Sequence, residues 1–189
     1  MGLKEAKEYI NKLHKLQENP YNWPDYLTGL PDMAAVIKKI DDVYDRLDRY
    51  SIAFIKLKNV HPYLIKYDDS RHAEIIQWAA AILKTTVSEY RGAFVGAVGT
   101  HEFVIICLAR DLGSIIKKAK NLFARKSRVF YNEPDLERKY VLSFKRDGKE
   151  IQVGLMDMIF EVLDRTDIKK HNIIPSLARR CAEREKVES

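Results

Sequence analysis

The residues of this chain best equipped for chemistry gather around one short turn. Two apolar runs, Phe94 to Val98 and Phe103 to Leu108, flank Gly99-Thr100-His101-Glu102. An imidazole at a turn tip can act as a general base, and a neighbouring carboxylate can ligate a cation. His101 is read instead as a solvent-exposed turn histidine. Glu102 by itself makes a poor cation site, because hard cations collect several oxygens. Upstream, Lys56 and Lys58 stand two residues apart in a strand-like stretch. That spacing sends both to one face. Together with His101 they form a candidate anion site that holds phosphate by charge, without metal. The competing reading leaves both lysines solvated at a rim.

Other reactive side chains are scattered. His61, His72 and His171 have no Cys or carboxylate companions at ligand spacing, so neither a zinc site nor any other metal or cofactor is expected. Cys107 and Cys181 stand alone and read as inert core thiols. No phosphate-binding loop or Ser-His-Asp order is present. The net charge of +6 suits an acidic partner or nucleic acid, but it is spread along the chain. The densest basic cluster, Arg125-Lys126-Ser127-Arg128, reads as a solvated helix end. Basic and aromatic residues do not interleave, so nucleic-acid binding ranks last.

The elements that must position these groups follow from apolar spacing. With 189 residues, 46% of them apolar, the chain supports one full core. No apolar run is long enough for a membrane helix, and no secretion signal opens the chain, so no membrane insertion and a cytoplasmic location are expected. Residues 2 to 17 read as a helix whose Leu3, Ala6, Ile10 and Leu13 form either a dimerising seam or a core stripe. A second helix opens at Pro31-Asp32 and runs toward Leu47. Ser51 to Lys58 reads as a strand. Residues 70 to 88 read as a helix, with Trp78 in the core. After the hairpin, Asp111 is placed as the cap of the next helix. Residues 139 to 162 read as two strands joined at Asp147-Gly148. Arg165 to Asn172 is a charged link, and Ile173 to Lys186 a basic helix. The class is α/β with an antiparallel component (α+β).

Two patterns then align. "DYLTGLPD", Asp25 to Asp32, and "GTHEF", Gly99 to Phe103, resemble in order and spacing two motifs of the GGDEF domain, the diguanylate cyclase family of bacterial signalling. The resemblance covers about residues 22 to 187. It implies a nucleotidyl-cyclase-like palm: a central mixed, mostly antiparallel sheet flanked by helices, with an N-terminal helix at residues 1–20 for relay or dimerisation and the GGDEF-like domain at 21–189. Active members join two GTP molecules into cyclic di-GMP across a dimer, with magnesium held by carboxylates.

The same resemblance marks what is missing. Lys56 and Lys58 stand at the first-strand acidic positions, and His101 at the hairpin carboxylate; only Glu102 keeps its acid. At about 4 Å and an effective dielectric near 20, exchanging attraction for repulsion swings each pair by several kcal/mol. Gly99 is kept, but Thr100 stands at the second glycine and is expected to disfavour positive φ. The guanine-reading positions fall near Leu64 and Ala73, and the product-inhibition positions at Tyr90 and Ala93. "LARRCAEREK" carries Arg179, Arg180 and Arg184 without the family's phosphate clamp. The expectation is a degenerate, non-catalytic module acting through a protein partner or homodimer. The alternative is a receptor that binds a nucleotide or cyclic di-GMP at Lys56, Lys58 and His101 without turnover. Tyr21, Trp23 and Tyr26 are expected to pack the N-terminal helix onto the domain.

Overall fold

The computed structural model describes residues 2–16, 27–145, 147–164 and 169–187. Helix α1 (Leu3–Leu16) buries Ala6, Ile10 and Leu13 against α4 (His72–Ser88). Of the two readings of its stripe, core packing is the one realised. The following "LTGLP" residues lie against this helix. Tyr9 donates to the Thr28 carbonyl at 3.2 Å, Gln77 to the Leu27 carbonyl at 3.3 Å, and Leu30 N–H to the Thr28 hydroxyl at 3.2 Å. Gly29 has φ +67, and a Cβ there would stand 2.1 Å from Leu13 Cδ2. Only glycine fits on both counts. Asp25 and Tyr26, like Tyr21 and Trp23, lie outside the described residues.

Asp32 caps α2 (Met33–Val43), its carboxylate accepting from Ala35 N–H at 2.9 Å. The helix ends at Val43 and continues as a 3-10 turn, Tyr44–Arg46. The central sheet contains β1 (Tyr50–Lys58), β2 (Phe94–Gly99), β3 (Glu102–Leu108) and β6 (Asp157–Val162), in the order β2-β3-β1-β6. All of its pairings are antiparallel. Side chains alternate between two faces. Ala53, Ile55 and Leu57 join Phe103 and Ile105 in a core covered by α4 and α5 (Ala109–Ser127). Ile52 and Phe54 join Val104, Ile106 and Ile159 in a second core under α2 and α7 (Ile173–Val187). Helices therefore cover both faces of β1, which explains the nearly unbroken apolar run that opens it. Each fully buried phenylalanine contributes about 1.5–3 kcal/mol.

Several expectations need correction. Residues 139 to 162 hold three strands, not two. β4 (Tyr140–Phe144) and β5 (Glu150–Gly154) form a separate hairpin around Asp147-Gly148. Its turn has Gly148 at φ +80 and Lys149 N–H on the Asp147 carboxylate at 3.1 Å. The chain then crosses Leu155-Met156 and supplies β6 to the main sheet. Asp111 does not cap α5, which starts at Ala109; it sits in the first turn, where its charge suits the helix dipole. Two helices lack a periodic signature because they are short: α3 (Val60–Tyr67) and α6 (Glu133–Arg138), with a proline in the first turn of each. The cluster at 125–128 does end a helix, but Lys126 is not simply solvated. Its ammonium lies 3.9 Å from the centroid of the largely buried Trp78 ring.

The arginines of α7 are also occupied. Arg180 and Arg184 donate to the Glu161 carboxylate at 3.0 and 3.1 Å, and to the carbonyls of Val162 and Phe160 at 3.1 and 3.2 Å. Those carbonyls belong to the edge strand β6. Covering them blunts an edge that would otherwise invite pairing with another chain.

Candidate functional site

The candidate site lies where the C-terminal end of β1 meets the β2–β3 turn and the start of α4. Register sets the first part of it. Lys56 stands opposite Glu102 on β3, and Lys58 opposite Asp157 on β6. As the spacing predicts, both lysines fall on one face, the face covered by α7. Lys56 Nζ lies 2.6 Å from Glu185 Oε2 of that helix. The ammonium expected to meet phosphate or solvent therefore has an internal carboxylate partner. Lys58 is half-buried beside it.

The turn itself is tight. Gly99 pairs with Glu102, with a bulge between Ala97 and Gly99. Thr100 and His101 form the tip. Neither Gly99 nor Thr100 has a positive φ, so the expected backbone cost of threonine does not arise here. A Cβ at Gly99 would stand 2.6 Å from Glu102 Oε2, a contact that the flexible end of that side chain can relieve. The turn is anchored to the sheet by the Leu57 N–H, which donates to the His101 carbonyl at 2.9 Å.

His101 is not a freely solvated tip residue. It is half-buried, and its Nε2 lies 2.6 Å from Nε2 of His72, the first residue of α4. Burial lowers the His101 pKa below the ordinary imidazole value. The charges of His72, Lys56 and His61 lower it further, while Glu185 opposes them. In the sequence alone His72 stands without a companion, because 29 positions separate it from His101 and no local pattern links the two rings. Among the described residues, no group of three or more His, Cys, Asp or Glu side chains is arranged to hold a metal ion.

The other positions implied by the resemblance lie apart from this cluster. Leu64 and Tyr90 pack partly against the core, as does Ala93. Ala73 is exposed at the start of α4. Arg179 is exposed on α7 near Glu183. Both thiols are buried, in strand β3 and helix α7, and burial pushes each pKa up to about 12. No helix among the described residues is long and apolar enough to cross a membrane.

No protein-family model and no curated protein matches this sequence. The fold does have matches among solved structures. The GGDEF domain of DgcB from Caulobacter crescentus, in complex with c-di-GMP, aligns at TM-score 0.59 and 11% identity, over 86% of this chain and 89% of that one. Diguanylate cyclase SiaD from Pseudomonas aeruginosa, in complex with its activator SiaC, aligns at TM-score 0.60 and 11% identity, over 98% of this chain and 66% of that one. The FimX GGDEF domain from Pseudomonas aeruginosa aligns at TM-score 0.56 and 14% identity, over 87% of this chain and 94% of that one. The chain has the GGDEF-domain fold: a four-stranded antiparallel sheet flanked by helices, preceded by an N-terminal helix.

Proposed function

We propose that this GGDEF-fold chain is a signalling module without diguanylate cyclase activity, working through contact with another protein. One observation carries the reading. At the end of β1, the position that the resemblance assigns to a metal-binding carboxylate, stands Lys56, held at 2.6 Å by Glu185. An ammonium there offers a dication no oxygen, its ion pair engages the Glu185 carboxylate, and Glu102 by itself is too few ligands for magnesium. His101 at the turn is a poor magnesium ligand. A GGDEF-fold neighbour, SiaD, is known in complex with a protein activator, and this chain is proposed to use its fold in the same general way. A homodimer is compatible with this role. The apolar stripe of α1 is already buried against α4, so a dimer built around α1 would use the helix's outer face. The test is incubation with GTP and magnesium, with products read by mass spectrometry. No cyclic di-GMP is expected, and clear turnover overturns the proposal.

The receptor reading ranks second. A nucleotide or cyclic di-GMP bound at Lys56, Lys58 and His101 has to compete with Glu185 for Lys56 and with His72 for His101. Calorimetry against a nucleotide panel decides between the two. Binding that is abolished by Lys56→Glu would place the receptor role first.

A further inference from the structure

His72 and His101 meet end to end through the same ring atom. Their Nε2 atoms are 2.6 Å apart, with ring centroids 5.0 Å apart and planes tilted by 57°. A neutral imidazole offers one N–H and one lone pair, so this N–H···N contact holds with one proton between the two nitrogens. It also survives a single added proton, because an imidazolium can donate to a neutral ring, and its charge strengthens the bond. It fails at the second. Two imidazolium rings have four N–H groups and no lone pair, so both Nε2 atoms would carry protons aimed at each other.

The surroundings disfavour that second charge. Lys56 of β1 and His61 of α3 bring positive charge toward His101. Two nearby carboxylates already hold other cations: Glu185 of α7 pairs with Lys56 at 2.6 Å, and Glu74 of α4 with Arg71 at 3.4 Å. Across the sheet Glu102 stands opposite Lys56, and Lys58 opposite Asp157. On the other side, His72 follows a 3-10 turn, Asp69–Arg71, which the Asp68 carboxylate caps by accepting from Ser70 N–H at 3.1 Å. Both rings are half-buried, so water screens their repulsion only in part. Burial first, and then the charges of His72, Lys56 and His61, hold the His101 pKa below the ordinary imidazole value, while Glu185 opposes them.

We propose that this contact is a pH-sensitive latch: it ties the β2–β3 turn to the start of α4 near neutral pH, and mildly acidic solution opens it by giving both rings their second N–H proton. The sign follows from counting protons. Opened, the two rings take up two protons as pH falls through the ordinary value of about 6.5; latched, they accept at most one. The open form therefore gains below that value, by up to about tenfold in the open-to-latched ratio for each pH unit. Above it, the latch keeps its full stability. Asp135 acts in a lower window, because its carboxyl lies below 3.8. Opening frees the turn that carries Thr100, His101 and Glu102, and so changes the surface that this end of the sheet presents. The device is independent of whether GTP is turned over.

Nuclear magnetic resonance of the full chain, titrated from about pH 8 to about pH 5 at fixed salt, tests the latch. The two ring signals should titrate as a coupled pair, with the last proton entering below the ordinary imidazole value. The amide signals of Thr100 and Glu102 at the turn, and of His72 and Ala73 at the helix start, should shift in step with that proton. Glutamine keeps a hydrogen-bonding end but takes no charge. In His72→Gln, His101 should titrate alone and at a higher pH, and the start of α4 should no longer respond. In His101→Gln the turn should no longer respond. His171→Gln, in a separate exposed turn, should leave the wild-type behaviour unchanged. Should a glutamine variant fail to fold, the coupled titration of the two rings in the wild-type chain decides alone. Independent titration of both rings at the ordinary value, or a turn and helix start that stay fixed as the rings charge, overturns the latch.

Discussion

The Lys56 ammonium and the Glu185 carboxylate meet at 2.6 Å across 129 positions of sequence. The contact joins the end of the central strand to the last turns of α7, and so holds that helix over the open end of the sheet. The two side chains remain 24% and 29% exposed, and a pair this wet is worth less than about 1 kcal/mol. In a double-mutant cycle, Lys56→Ala and Glu185→Ala should show a coupling of that size by urea denaturation, shrinking as salt is added. A coupling of zero at low salt would show that this pair adds nothing to the apolar face and to the Arg180 and Arg184 contacts with β6 that hold α7.

Asp135 should matter far more. It is fully buried, and its carboxylate accepts from Lys66 at 2.6 and 2.8 Å, from Arg138 at 2.8 Å, and from the Tyr67 hydroxyl. Burial raises its pKa, but the hydrogen bonds from Lys66 and Tyr67 and the nearby positive charges outweigh that and leave it below the ordinary 3.8. Its stabilising contribution is therefore present above the unfolded carboxylate value and is lost as pH falls through the lowered folded value. Asp135→Ala should cost about 3 kcal/mol, because it strands Lys66 beside a buried site. Asp135→Asn should flatten the acid side of the stability–pH curve. It should also lower the Tyr67 pKa, which burial and then Asp135 push up to about 12, in an alkaline absorbance titration.

Gly96 is required by its neighbours. A Cβ there would stand 2.4 Å from Val36 Cγ2 and 3.0 Å from the Pro31 carbonyl, while Ala97 N–H donates to that carbonyl at 2.8 Å. Gly96→Ala should destabilise by about 1–3 kcal/mol through overpacking. Combined with Val36→Ala, the total should fall short of the sum of the two separate costs. Chemical denaturation of the three variants checks this.

Cys107 and Cys181 should be silent in the folded protein. Both are fully buried, and burial pushes each thiol up to about 12, leaving little thiolate at pH 8. A chromogenic disulfide reagent should titrate neither thiol in the native chain and both in denaturant. Fast native reaction of either would show that its helix or strand opens readily.

Much of the framework was legible in the sequence because it is written in local spacing. The three-and-four repeat of Leu3, Ala6, Ile10 and Leu13, the helix start at Pro31-Asp32, the turn at Asp147-Gly148 and the paired runs around Gly99 each depend on residues within a few positions of one another. The "LTGLP" segment resembles a family motif although part of its reason is tertiary: Gly29 yields to Leu13, and the Thr28 carbonyl accepts from Tyr9. The short helices α3 and α6 escaped because six to eight residues do not complete a convincing apolar period, and a proline in each argued against a helix. β6 escaped because a strand's sheet is chosen by its partner, and its partner is β1, about a hundred positions earlier.

The candidate site divides along the same line. From the sequence alone came its cast: Lys56 and Lys58 on one face of a strand, and Thr100, His101 and Glu102 at a turn where a metal-binding loop would carry glycine and carboxylate. Backbone periodicity determines a face, and residue type determines charge, so neither needed coordinates. Only the folded chain decided the partners. It brought Glu185 to Lys56, His72 to His101, and Arg180 and Arg184 to Glu161. Ion pairs and ring contacts act over a few ångströms between residues far apart in the chain, and packing of helices on the sheet is what brings them within that range.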